Sequence, residues 1–177
     1  SQFHSEKNLI KMNNTYKMVT RWLLLFSIPI PIMFIVFPEN ILSLFGKEYI
    51  ASADVLIILT IATLLQAISG AASPTLGMSG LTRVVLFNTI FAFTLNFALN
   101  YNLIPSYGTN GAAYATLITL IIIGSIRTIQ VRFLLKMNFF SLKMLKPIIS
   151  GLITYFSIIS LKPFLAQYNL LVELLIE

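Results

Sequence analysis

Residues 55–82 read VLIILTIATLLQAISGAASPTLGMSGLT, an uncharged run of 28 residues between Asp54 and Arg83. A helix rises 1.5 Å per residue and needs about 20 predominantly apolar residues to cross a hydrocarbon core about 30 Å thick. This run is therefore long enough to span a bilayer. The composition around it agrees. Of 177 residues, 57% are hydrophobic and 10% charged, and the mean hydropathy is +0.87, whereas an ordinary soluble domain is roughly 45–50% apolar and about 25% charged. The expected fold is an all-α integral membrane protein, a polytopic helical bundle. The chain has no cysteine and a single histidine, His4, which excludes disulfides, thiolate nucleophiles, cysteine-ligated zinc and iron–sulfur clusters. No metal or other cofactor is expected.

Charges and Gly/Pro/Asn clusters divide the rest. Residues 1–20 read as a basic cytoplasmic loop, followed by a membrane domain over 21–163 with five transmembrane helices at about 21–38, 54–79, 83–104, 111–135 and 147–162. The third and fourth spans are separated by a polar turn, Pro105-Ser106-Tyr107-Gly108-Thr109-Asn110-Gly111, where Gly and Asn supply turn geometry and Pro ends a helix. The fifth is short, with Lys146 and Lys162 able to snorkel from its ends. Residues 164–177 read as the start of a truncated last helix. Nothing resembles a signal peptide, and the chain reads as a piece of a longer transporter-sized protein.

Basic loops stay cytoplasmic. Lys7, Lys11, Lys17, Arg21, Arg83, Arg132, Lys136, Lys143 and Lys146 fall on one side, with Arg127 near the same end; only Lys47 and Lys162 fall on the other. The +6 net charge is thus an orientation signal rather than a nucleic-acid footprint, and it places the N-terminal segment in the cytoplasm of a cell-membrane protein. Lys136–Lys143 (KMNFFSLK) reads as an interfacial segment meeting membrane lipids. Residues 38–49 read as a short amphipathic helical turn capped by Gly46.

Ionisable groups are scarce inside the spans. Arg127 is the only one well inside, and the acids lie at span ends or in loops, which disfavours an enzyme using carboxylates or a His/nucleophile pair. No phosphate-binding glycine loop or metal-ligand spacing is present. At 100° per residue, Gln66, Gly70, Ser73 and Gly77 share a face of the second span, with Thr63 beside them, and Thr89, Phe93, Asn96 and Asn100 share one on the third. Gln66, Asn96 and Asn100 either glue helices together or line a cavity. Arg127 either snorkels to the cytoplasmic end or faces the bundle as a substrate-attracting cation. Pro29, Pro31 and Pro74 should bend their helices, as gates or as fixed shapes.

Two motifs are more specific in combination. Ile41-Leu42-Ser43-Leu44-Phe45-Gly46-Lys47-Glu48-Tyr49 follows the proline-rich first span, and about 55 residues later comes Asn102-Leu103-Ile104-Pro105-Ser106-Tyr107-Gly108-Thr109-Asn110-Gly111-Ala112-Ala113-Tyr114-Ala115-Thr116. Over about Thr15 to Gly151 the chain resembles the polysaccharide-exporting, Wzx-type flippase branch of the multidrug/oligosaccharidyl-lipid/polysaccharide (MOP) exporter superfamily. The resemblance implies part of the C-terminal lobe of a MATE-like transporter, with the spans as its ninth to thirteenth helices. It implies alternating-access flipping of a polyprenyl-diphosphate-linked oligosaccharide, in company with polysaccharide polymerase or glycosyltransferase machinery.

For such a substrate, Arg127 and then Arg83 are the candidate diphosphate cations, and Gln66, Asn96 and Asn100 the candidate sugar partners. Phe45, Gly46, Tyr49, Pro105, Gly108 and Gly111 read as loop and packing determinants. The alternatives are a multidrug-type cation antiporter, which would favour an intramembrane acid, and a non-transporting membrane scaffold of cell-envelope assembly.

Overall fold

A computed structural model describes residues 2–137 and 149–160 of the chain. In order they form α1 (Gln2–Ser27), α2 (Pro29–Val36), α3 (Pro38–Ser43), a 3-10 turn (Lys47–Ser52), α4 (Ala53–Ser69), α5 (Ala72–Met78), α6 (Thr82–Leu134) and α7 (Ile149–Ser160). No strand occurs among the described residues, and the fold is all-α. Three stretches are long and apolar enough to cross a membrane, Lys11–Val36, Lys47–Met78 and Thr82–Leu134.

Prolines set the helix breaks. A proline has no N–H to donate, and its ring crowds the carbonyl four residues earlier. For Pro31 that carbonyl belongs to Ser27, the last residue of α1; for Pro74 it belongs to Gly70, immediately after α4. Phe37, ahead of Pro38, leaves the helical region at φ −126°, ψ 48°, as a residue before proline tends to. The end of α5 is closed differently. The Gly80 N–H donates to the Gly77 carbonyl at 3.1 Å and the Leu81 N–H to the Leu76 carbonyl at 3.0 Å, the paired bonds of a Schellman motif.

At 53 residues, α6 would be about 80 Å long if straight, more than twice the hydrocarbon thickness. It folds back at Gly108, whose φ 57°, ψ −134° is its one non-helical conformation and one that essentially only glycine adopts. The limbs, 82–107 and 109–134, then run antiparallel. Asn88 on the first meets Gln130 on the second, Asn96 meets Thr119, and Tyr107 meets Tyr114 edge-to-face at 6.2 Å. An added Cβ on Gly111 would strike the Leu103 carbonyl, so the limbs approach closely just beyond the turn.

The second limb is the spine of the packing. Gly111, Ala115, Thr119 and Ile123 recur at four-residue spacing along it, with Val131 eight residues further on, and all five are buried. An added Cβ on Gly124 would lie 2.7 Å from the Ser69 Oγ of α4, so small residues let α4 and α6 approach. At one end of the bundle Tyr16, Ala71, Ala72, Leu76, Val131 and Met137 form a buried cluster uniting α1, α5 and α6. At α7, Gly151 admits Ile28, the residue between α1 and α2; an added Cβ there would lie 2.8 Å from Ile28 Cγ2.

Several sequence expectations are corrected. Residues 1–20, read as a cytoplasmic loop, are helical: α1 begins at Gln2, because nothing before Pro29 contains Gly or Pro to interrupt it. Tyr16 and Thr20 are buried, so a boundary at 20/21 would cut through packed helix. The polar turn at 105–111 contracts to Gly108, with Pro105 inside the helix. Residues 147–148 and 161–162 of the fifth span, most of the Lys136–Lys143 segment and residues 164–177 lie outside the described residues.

Candidate functional site

The sequence candidates divide by element. Asn96 and Asn100 lie on the first limb of α6, facing the second. The Asn100 Nδ2 donates to the Asn96 backbone carbonyl at 2.9 Å and to its Oδ1 at 2.8 Å; the Asn96 Nδ2 reaches the Thr119 Oγ1 at 3.4 Å. These amides are engaged within the hairpin. Below them Asn88 and Gln130 exchange two bonds, Asn88 Nδ2 to Gln130 Oε1 at 2.6 Å and Gln130 Nε2 to Asn88 Oδ1 at 3.0 Å. Sequence reading missed this pair. The available signal was symmetry: residues 88 and 130 are nearly equidistant from Gly108, so a turn placed there aligns them.

Arg127 sits on the second limb within one turn of Ile123, Gly124 and Val131, all buried, and one turn from Gln130. Stepping by four along a helix rotates only about 40°, so it shares their packed face. It is half-buried, and its Nε is enclosed with no hydrogen-bond partner. Arg83 is exposed near the start of the first limb. Because Asn88 pairs with Gln130, the antiparallel register brings Arg83, Arg127 and Arg132 to the same end of the hairpin.

Gln66 is exposed on α4. Along the expected stripe of Gln66, Gly70, Ser73 and Gly77, α4 ends at Ser69 and α5 begins at Ala72, while Gly70 and Ala71 between them keep right-handed helical φ/ψ; the break is one of hydrogen bonding rather than of helical course. Around Gly77 an added Cβ would meet nothing within 4 Å, so this end of the stripe is open rather than packed. Phe45 and Tyr49, read as loop and packing determinants, lie in the turn after α3 and in the 3-10 turn that follows, 74% and 50% exposed.

Among the described residues, two clefts flank α4. One, of about 380 Å³, lies between α4 and the second limb and is lined by Leu65, Ile68, Ser69, Leu120, Ile121, Gly124, Ser125, Thr128 and Ile129. Its three hydroxyls each donate to a backbone carbonyl of their own helix: Ser69 to Gln66 at 3.2 Å, Ser125 to Ile121 at 2.7 Å and Thr128 to Gly124 at 2.8 Å. Each oxygen keeps acceptor capacity toward the cleft. Ser125 and Thr128, three residues apart beside Gly124, were legible as a hydroxyl pair on one face but were not singled out.

The other cleft, about 400 Å³, is wholly hydrocarbon apart from the Tyr155 hydroxyl and the backbone. It lies where α1, α2, α4 and α7 meet, lined by Leu24, Ile28, Ile32, Ile35, Leu64, Leu65, Ile68, Gly151, Leu152 and Tyr155. None of Gln66, Arg83, Asn96, Asn100 or Arg127 lines either cleft. Among the described residues no group of three or more His, Asp or Glu is placed to hold a metal ion.

What these elements offer is a set of apolar helices broken at prolines, joined by a polar-stitched hairpin and indented beside α4. No curated protein and no solved structure matches the chain. The MatE family model does, over residues 1–102, which takes in α1 to α5 and most of the first limb of α6. The Pro105–Gly111 half of the paired motif lies beyond the matched residues. With more than half its length matched, the chain belongs to the MatE family, membrane transporters of the MOP superfamily.

Proposed function

We propose that this chain serves the translocation of a polyprenyl-diphosphate-linked oligosaccharide across the cell membrane, by alternating access, in polysaccharide biosynthesis. One observation carries the reading. No carboxylate occurs between Asp54 and Glu173, while Arg127 lies on the packed face of α6 with its Nε enclosed and unpartnered. A diphosphate is drawn to such a cation, with which it forms charge-assisted hydrogen bonds. A cationic drug would be drawn to an intramembrane acid instead. The resemblance of the Ile41-to-Tyr49 and Asn102-to-Thr116 motifs to Wzx-type flippases supports the same substrate class, and the acceptor oxygens of Ser69, Ser125 and Thr128 suit sugar hydroxyls. On this reading the chain contributes part of a C-terminal lobe, its N-terminal segment faces the cytoplasm, and it works beside polymerase or glycosyltransferase machinery.

The test is transfer of a fluorescent lipid-linked oligosaccharide by the intact protein in proteoliposomes. A charge-assisted hydrogen bond is worth about 1.5–3 kcal/mol, so Arg127→Ala should slow transfer about ten- to a hundredfold, with membrane insertion unchanged. Arg127→Lys should retain part of the rate. Undiminished transfer by Arg127→Ala removes this residue from the mechanism.

A further inference from the structure

The segment between the first two membrane-crossing stretches is not absorbed by the function above. α3 ends at Ser43, and the chain turns through Leu44, Phe45 and Gly46 into the 3-10 turn Lys47–Ser52, which packs back against α3. Gly46 makes this turn at φ 138°, ψ 147°, a conformation that L side chains rarely adopt. An added Cβ there would also press on the Glu48 carboxylate at 3.0 Å. The result sets Leu44 and Phe45 side by side at the apex, 83% and 74% exposed.

Two adjacent large apolar side chains held out by a built turn need an occupant, and their position supplies one. α2 ends a membrane-crossing stretch at Val36, and the next such stretch begins at Lys47. The apex is therefore tethered on both sides at the edge of the hydrocarbon. A second copy or a soluble partner would need an apolar surface brought to that edge, whereas the bilayer is already there. Charge also bears on the kind of contact. The exposed charged residues beside the apex are Glu39, Lys47 and Glu48, an acidic balance that anionic headgroups do not attract.

We propose that Leu44 and Phe45 form a membrane wedge, inserted at the headgroup–acyl boundary by apolar burial and independent of anionic lipid. This does not depend on the transported substrate. The Leu-Phe-Gly part of the motif is on this view a turn that presents two apolar residues to lipid, with Gly46 as its pivot and Phe45 as its probe rather than a packing residue.

The experiment uses the intact protein in vesicles. Its single tryptophan, Trp22, is replaced as Trp22→Phe, which keeps a ring to stack on Phe26, and Phe45→Trp supplies a reporter; Leu44→Trp in the same background is the second, independent reporter. The expected result is blue-shifted emission, quenched by phosphatidylcholine brominated high on its acyl chains and shielded from aqueous iodide, unchanged when phosphatidylglycerol is added or salt is raised. Emission open to iodide at both positions would overturn the proposal. So would emission shielded from iodide but untouched by the brominated lipid, which would mean burial against protein. Bromolipid quenching that appears only with phosphatidylglycerol would overturn the wedge in favour of an electrostatic contact.

Discussion

Truncating Asn88 to Leu leaves the Gln130 amide on the opposite limb with two of its bonds unmade, whereas truncating both removes the demand along with the supply. A double-mutant cycle with Asn88→Leu and Gln130→Leu, read by equilibrium unfolding in detergent, should give a favourable coupling of about 0.6–1.7 kcal/mol. The double variant should recover stability relative to the sum of the singles. Gly108→Val should cost on the order of 1–3 kcal/mol in the same assay, because its φ/ψ lies where only glycine is at ease. These two sites differ in legibility. Gly108 stands in a run of Pro, Ser, Asn and Gly that announces a turn locally, whereas Asn88 and Gln130 look like any other amides in an apolar span until their 42-residue separation is closed. Arg127 was visible as an isolated charge, but whether it shared a packed face depended on Ile123, Gly124 and Val131 being covered by other helices.

Proline acts on its own helix, and so the breaks could be anticipated from Pro29, Pro31 and Pro74. Their locations were less obvious, since for Pro31 and Pro74 the interruption appears near the carbonyl four residues upstream rather than at the ring, whereas for Pro29 it lies directly before the ring at Ile28. Pro74→Ala restores a donor for the Gly70 carbonyl. The new amide at position 74 should be protected from hydrogen exchange, and α4 and α5 should join; persistence of the interruption would assign it to packing against α6 instead. The α6 hairpin shows the reverse case. Local patterning separates two spans by a seven-residue turn, but helical bonding continues to both sides of Gly108, because the antiparallel limbs pair up to the turn. The N-terminal segment is a related case: its polarity suggests a loop, while the absence of Gly and Pro allows a helix that tertiary contacts at Tyr16 then hold.

For the molecule as a whole, the absence of cysteine makes topology directly measurable. Ser43→Cys and Thr82→Cys lie at exposed positions on opposite ends of the stretch Lys47–Met78. In intact cells a membrane-impermeant thiol reagent should label position 43 and leave position 82 unlabelled until the membrane is opened, given the excess of Lys and Arg on the latter side. Labelling of position 82 alone would invert the orientation. Membrane class, helical content and the approximate breaks follow from residue types, because transfer to hydrocarbon and the missing proline N–H are local effects that accumulate along the chain. The Asn88–Gln130 stitch, the packed side of Arg127, the clefts beside α4 and the outward apex at Leu44 and Phe45 come from pairing between distant segments. There, register and the close approach permitted at Gly111 and Gly124 decide which side chains meet.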